Sequence, residues 1–133
     1  MPEGLAGRVC IAGVGCTRFG DLASAPGTGG PTLHELAAAA AREALEDAGM
    51  RGPDVGALYA GGVSLPTSHP RSTAADLAAW IGMRLSPAVP VDAAGATTSV
   101  GVGLATEAIA SGVIDTALVV GVGAGRSTPR GGS

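Results

Sequence analysis

A short apolar run, Val89-Pro90-Val91-Asp92, leads into Ala93-Ala94-Gly95-Ala96 and then into the hydroxyl cluster Thr97-Thr98-Ser99. A strand, a tight turn and a helix start in that order aim the turn residue at the helix N-terminus, where free N–H groups favour anions and developing negative charge. A cysteine or serine at such a turn would be a nucleophile whose anion the helix stabilises. The turn position here is Gly95, which has no side chain to attack with. What remains is electrophilic. The N–H groups of Ala96 and Thr97, with the hydroxyls of Thr97, Thr98 and Ser99, are candidates to stabilise a carbonyl oxyanion. The competing structural reading is N-capping by Thr97 or Thr98. Ala96, Thr97 and Ser99 are therefore the candidate substrate-binding residues, and no residue is assigned as catalytic.

Other reactive side chains are few. Cys10 sits in an apolar run and reads as a small buried hydrophobe, whereas Cys16 falls in the following loop and reads as exposed. Neither has a recognisable histidine and acid beside it in sequence. His34 lies in the first turn of a helix among polar neighbours, and His69 lies in a loop between Ser68 and Pro70, a spacing that offers no metal site. Glu46 and Asp47 read as the charged outer face of a helix. Gly13-Val14-Gly15 and Gly121-Val122-Gly123 both follow apolar runs, but Arg18 and Arg126 stand where a dinucleotide fingerprint needs its third glycine.

The elements that must position the turn are legible from periodicity. Val9-Cys10-Ile11-Ala12-Gly13-Val14 and Thr116 to Val122 are continuous apolar runs, the pattern of parallel strands buried on both faces. Val55 to Val63 and Val89 to Asp92 supply two more strand candidates. Thr32-Leu33-His34-Glu35 is a capping box. It opens a helix whose apolar positions Leu33, Leu36, Ala37, Ala40, Ala41, Ala44, Leu45 and Ala48 share a face, with Gly49 as the stop. A shorter helix is expected from about Thr73 to Met83, closed by Gly82, and another from Ser99 to Ser111, ending at Gly112. Strands alternating with helices give βαβαβαβ, with right-handed crossovers and helices on both faces of the sheet.

Composition narrows the partners. With 133 residues, 46% hydrophobic and 14% charged, the chain suits one globular domain. Phe19, Tyr59 and Trp80 are its only aromatics, so Ala, Val, Leu and Ile must fill the core, with close backbone contacts around 23 glycines. A net charge of −3 and scattered arginines argue against nucleic acid. The absence of lysine removes Schiff-base chemistry and the P-loop lysine. Two cysteines make no disulfide framework, and no signal pattern or membrane-spanning run is present, so a cytoplasmic setting is expected.

Taken in order, several blocks resemble the N-terminal half of a thiolase, of the acetyl-CoA acetyltransferase and sterol-carrier-type lipid-transfer branch. They are Ile11 through Gly20, Ala44-Leu45-Glu46-Asp47-Ala48-Gly49, Asp54 through Tyr59, and above all Val91 through Ala108-Ile109-Ala110-Ser111-Gly112 to Leu118-Val119-Val120-Gly121-Val122. The resemblance reaches Gly123. It implies a thiolase-like domain over residues 1–122 with a mixed, mostly parallel sheet covered by helices, followed by a flexible tail at 123–133.

The resemblance also implies a chemistry. In such enzymes a cysteine in the strand-to-helix turn accepts an acyl group from a CoA thioester, and here that position is Gly95. Acyl-CoA is the implied substrate, with no covalently bound cofactor. The family's second half supplies the CoA-binding loop region, a catalytic histidine and the acid/base residues, so a homo- or hetero-oligomer with a complementary half is expected. Three functional readings follow: an acyltransferase fragment or subunit inactive alone, a noncatalytic partner of a CoA-dependent enzyme, or an α/β domain of unrelated activity. The noncatalytic partner would include a member of a lipid-transfer-type retro-aldolase complex, dimerising through Val89 to Asp92. Gly101 and Gly103 inside the last helix each cost about 1 kcal/mol relative to Ala, which close helix packing would explain.

Overall fold

The structure, a computed structural model, describes residues 4–20, 30–62, 73–83 and 85–123. Along the chain run α1 (Leu33–Asp47), β1 (Ala57–Gly61), α2 (Thr73–Trp80), β2 (Ala88–Pro90), α3 (Thr97–Ala110) and β3 (Ala117–Gly121), with 3-10 turns at Gly52–Asp54 and Ala94–Ala96. The expected loop at 64–71 with His69, and the tail beyond Gly123, lie outside the described residues.

The start of α1 follows from its capping box. The Glu35 N–H donates to the Thr32 hydroxyl at 3.2 Å, and the Thr32 N–H donates to the Glu35 carboxylate at 2.7 Å. The three helices among the described residues end in the same way. Gly49, Gly82 and Gly112 adopt φ of +66°, +81° and +78°, which an L side chain resists. That reversal lets Met50, Met83 and Val113 each donate back to a carbonyl in the last helical turn, at 2.8, 2.8 and 3.1 Å. Arginines reach two of these ends, Arg42 donating to Trp80 O and Arg8 to Ala110 O, both at 3.1 Å.

The sheet has three parallel strands in the order β2-β1-β3, with Leu58 opposite Ala88 on one side and Leu118 on the other. Pro90 is tolerated because β2 is an edge strand. Alternation divides the two faces. Leu58, Ala60, Leu118 and Val120 face α1 and α2, and form the core with Ala37, Ala38, Ala41, Leu45, Leu77 and Ala78. Tyr59 and Val119 face α3. The molecule is thus a three-layer α/β unit whose sheet is parallel throughout the described residues. Mixed character is not seen there.

Two strand expectations need correction. Val9 to Val14 is not a buried strand: it pairs with no strand among the described residues, and Ile11 and Val14 are 82% and 65% exposed. Cys10 is exposed with it, as is Cys16. The segment instead crosses α1, with Gly13 against the backbone of Ala44 and Ala48 and Gly15 against that of Ala40 and Ala44. Its N–H groups find helix carboxylates, Val14 donating to Asp47 at 2.9 Å and Cys16 to Glu43 at 3.4 Å. A continuous apolar run therefore docks on a helix here. Asp47 is a ligand for backbone rather than only a solvated charge. The second correction concerns β3, which is buried at Leu118 and Val120 but only half-buried at Ala117 and Val119, because small α3 residues cover that face incompletely.

Candidate active site

The turn after β2 is built by short bonds. Val91 donates to Ala60 O at 2.9 Å, which carries pairing with β1 one residue beyond β2. The chain then turns: Ala94 N–H donates to the Asp92 carboxylate at 3.3 Å and Ala96 N–H to Ala93 O at 3.0 Å. Thr97 N–H donates to Ala94 O and closes the 3-10 turn. Ala94 adopts φ +49°, the one described non-glycine residue with positive φ. An alanine held there is strained by about 1–2 kcal/mol. Gly95 is exposed, has no left-handed φ, and a Cβ built on it would meet nothing within 4 Å. A side chain would fit at this position.

Thr97 begins α3 but does not cap it, and α3 has no side-chain N-cap at all. Its hydroxyl accepts from Ala93 N–H at 3.0 Å and donates to Ala94 O at 2.8 Å. The residue is only 5% exposed. Thr98 and Ser99 are exposed in the first turn of the helix. Of the sequence candidates, Thr97 lines the crevice described next. Ala96 and Ser99 do not.

That crevice, of about 290 Å³, opens at the C-terminal ends of β1 and β3 against the start of α3, with Gly95 and Thr98 on its wall. In open parallel sheets this end of the strands is where ligands gather. Glycines at the strand ends make the approach possible. A Cβ on Gly61 would come 2.7 Å from the Thr97 methyl, and a Cβ on Gly121 would collide with the Thr98 hydroxyl. Within Gly121-Val122-Gly123 it is therefore Gly121 that seats the start of α3, and Gly13-Val14-Gly15 seats a loop on α1. Sequence reading missed this clearing role and missed Asp92; the strand-end glycines Gly61, Gly62 and Gly121 were the available signal.

Elsewhere among the described residues the surface offers less chemistry. A larger depression of about 640 Å³ beside α2 and β2 is lined by Ala75, Ala78, Ala79, Met83, Ser86 and Ala88, with no titratable side chain. Among the described residues no His, Cys, Asp and Glu cluster could hold a metal ion, and no helix is long and apolar enough to cross a membrane.

Comparison with known proteins agrees with the architecture. Residues 9–125 match the family model for the thiolase N-terminal domain. No significant match is found among curated proteins. Among solved structures, 3-oxoacyl-[acyl-carrier-protein] synthase III from Aquifex aeolicus VF5 is 24% identical with a TM-score of 0.66, over 74% of this chain and 34% of that one. The corresponding synthase III, FabH, from Xanthomonas oryzae pv. oryzae is 32% identical with a TM-score of 0.60, over 68% of this chain and 27% of its own. An OleA variant from Xanthomonas campestris, solved with lauric acid and lauroyl-CoA, is 31% identical with a TM-score of 0.58, over 66% and 26%. The chain thus spans about a third or less of the length of these condensing enzymes. With a thiolase N-terminal domain matched over most of its length, and the turn at Gly95 set at the start of α3, the chain belongs to the thiolase family.

Proposed function

We propose that this chain is the turn-bearing half of a thiolase-like protein that handles acyl-CoA, and that it forms no acyl-enzyme by itself. The observation that carries this is Gly95: an open position between β2 and the N-terminus of α3, beside a crevice, with no nucleophile. A thioester carbonyl placed there would face the positive end of α3. The lauroyl-CoA held by the OleA variant supports a CoA thioester as the ligand class. The acetyl-CoA acetyltransferase type is the finer reading from the sequence blocks.

A noncatalytic partner subunit is the second reading, favoured by the exposed apolar side chains of α3. Val100 and Leu104, one turn apart, stand 41% and 40% exposed, and Val102 on the opposite flank stands 48% exposed, apolar surface suited to a complementary thiolase-like half. The edge strand β2 would offer a second contact, for dimerisation.

The test is Gly95→Cys, incubated with a complementary thiolase half and acetyl-CoA and examined by intact mass. The introduced thiolate attacks the thioester carbonyl carbon, the bond from that carbon to the CoA sulfur breaks, and CoA leaves as its thiolate. An added acetyl group on this chain is expected in the variant and not in the parent. A complex that forms without any adduct would remove the acyl-site assignment and leave the partner reading. No complex and no adduct would defeat both.

A further inference from the structure

The geometry points to Thr97 as the positioning residue that sets the conformation of the acyl-site turn. The inference rests on the reading of the turn proposed above. Three observations carry it. The Thr97 hydroxyl spans the strained residue, accepting from Ala93 N–H on one side and donating to Ala94 O on the other. Its single proton is thereby committed inside the protein, and the side chain is buried. Its methyl rests on Gly61 at the end of the central strand, so the hydroxyl is anchored to the sheet and not to a mobile surface.

The consequence is mechanical. Ala94 at φ +49° returns to the ordinary α or β region unless its flanking peptide groups are held. Asp92 holds one of them, by an exposed contact of 3.3 Å. Thr97 holds the other, through Ala94 O, and fixes the peptide preceding Ala93 through Ala93 N–H, both from a buried site, so it decides where position 95 points relative to the N-terminus of α3. Its hydroxyl acts through the turn, with backbone groups on both of its hydrogen bonds.

The experiment is run on the full chain with Gly95→Cys as a reporter, after Cys10→Ser and Cys16→Ser remove the two exposed native thiols. The pH profile of iodoacetamide alkylation is measured with threonine, valine or serine at position 97. A thiol held at a helix N-terminus ionises below the free-cysteine value of about 8.5. Thr97→Val keeps the shape and the Gly61 contact but loses both hydrogen bonds. It is expected to move the midpoint upward and slow alkylation at pH 7 by about three- to tenfold, one pH unit of midpoint being about tenfold in thiolate. Thr97→Ser is expected to keep the parent profile. Adding Ala94→Gly to Thr97→Val removes the conformational penalty at 94 and is expected to return the midpoint most of the way to the parent value.

Superimposable profiles for Thr97 and Thr97→Val overturn the inference. So does an upward move of the midpoint in Thr97→Ser, which would assign the effect to the methyl group and packing. Thermal melts of each variant separate a local change in the turn from loss of the fold, and Ala94→Gly rescue would be absent if the valine variant were simply unfolded. No acyl donor is used, so failure here is distinct from failure of the acyl-CoA reading.

Discussion

Replacing Gly13 with alanine tests the least expected contact in the fold, the crossing of residues 13–16 over α1. A Cβ on Gly13 would lie 2.6 Å from Ala48 N and 2.8 Å from Ala48 Cβ, and would also strike Ala44 O. Two of the three obstacles are helix backbone, which cannot rotate away. The two Ala48 distances fall about 0.6–0.8 Å short of ordinary contact, so either α1 or the crossing segment must move, an overpacking cost of about 1–3 kcal/mol. That cost has a ceiling. Once it exceeds what docking contributes, the segment detaches, Val14 loses its bond to Asp47 and Cys16 its bond to Glu43.

Equilibrium urea denaturation measures the loss, and hydrogen exchange at Val14 and Cys16 shows where it falls. Both amides are expected to lose protection in Gly13→Ala, while Leu58 and Leu118 in the sheet keep theirs. Asp47→Ala should reproduce the exchange effect with a smaller stability loss, about 0.5–1.5 kcal/mol, because it removes one hydrogen bond and creates no clash. If 9–14 were a strand within the sheet, Asp47→Ala would leave Val14 exchange unchanged. That outcome would refute the reasoning.

Further outcomes are expected from other sites. Leu58→Ala should cost about 2–5 kcal/mol in the same denaturation assay, since Leu58 is fully buried in the central strand and its loss leaves a cavity between sheet and helices. The two glycines within α3 should behave oppositely. A Cβ at Gly103 meets nothing within 4 Å, so Gly103→Ala should stabilise by about 0.5–1 kcal/mol. A Cβ at Gly101 comes 3.0 Å from the Val119 side chain, so Gly101→Ala should forfeit that gain. A shift in urea midpoint at unchanged slope is the readout for both.

Features governed by near neighbours in the chain were legible from sequence. The Thr32 and Glu35 box, the glycine stops at 49, 82 and 112, and the cores of β1 and β3 follow from residues a few positions apart, and each appears as expected within a few residues. The turn before α3 was placed correctly for the same reason, although α3 begins at Thr97, two residues before the expected start at Ser99. What each segment packs against was not legible. Val9 to Val14 and Thr116 to Val122 carry the same apolar signal, yet one lies exposed across a helix and the other forms β3, because hydrophobicity is non-directional and names no partner.

The site divides along the same line. That Gly95 offers no nucleophile, and that hydroxyls follow it, are facts of composition read in order. That the Thr97 hydroxyl turns inward to hold Ala94, and that Gly61 and Gly121 clear the ground beneath Thr97 and Thr98, depend on strands far apart in the chain meeting at one end of the sheet. Local propensity and capping act over one or two helical turns and are written in the sequence. Close approach between distant backbones is decided only when the tertiary fold brings them together.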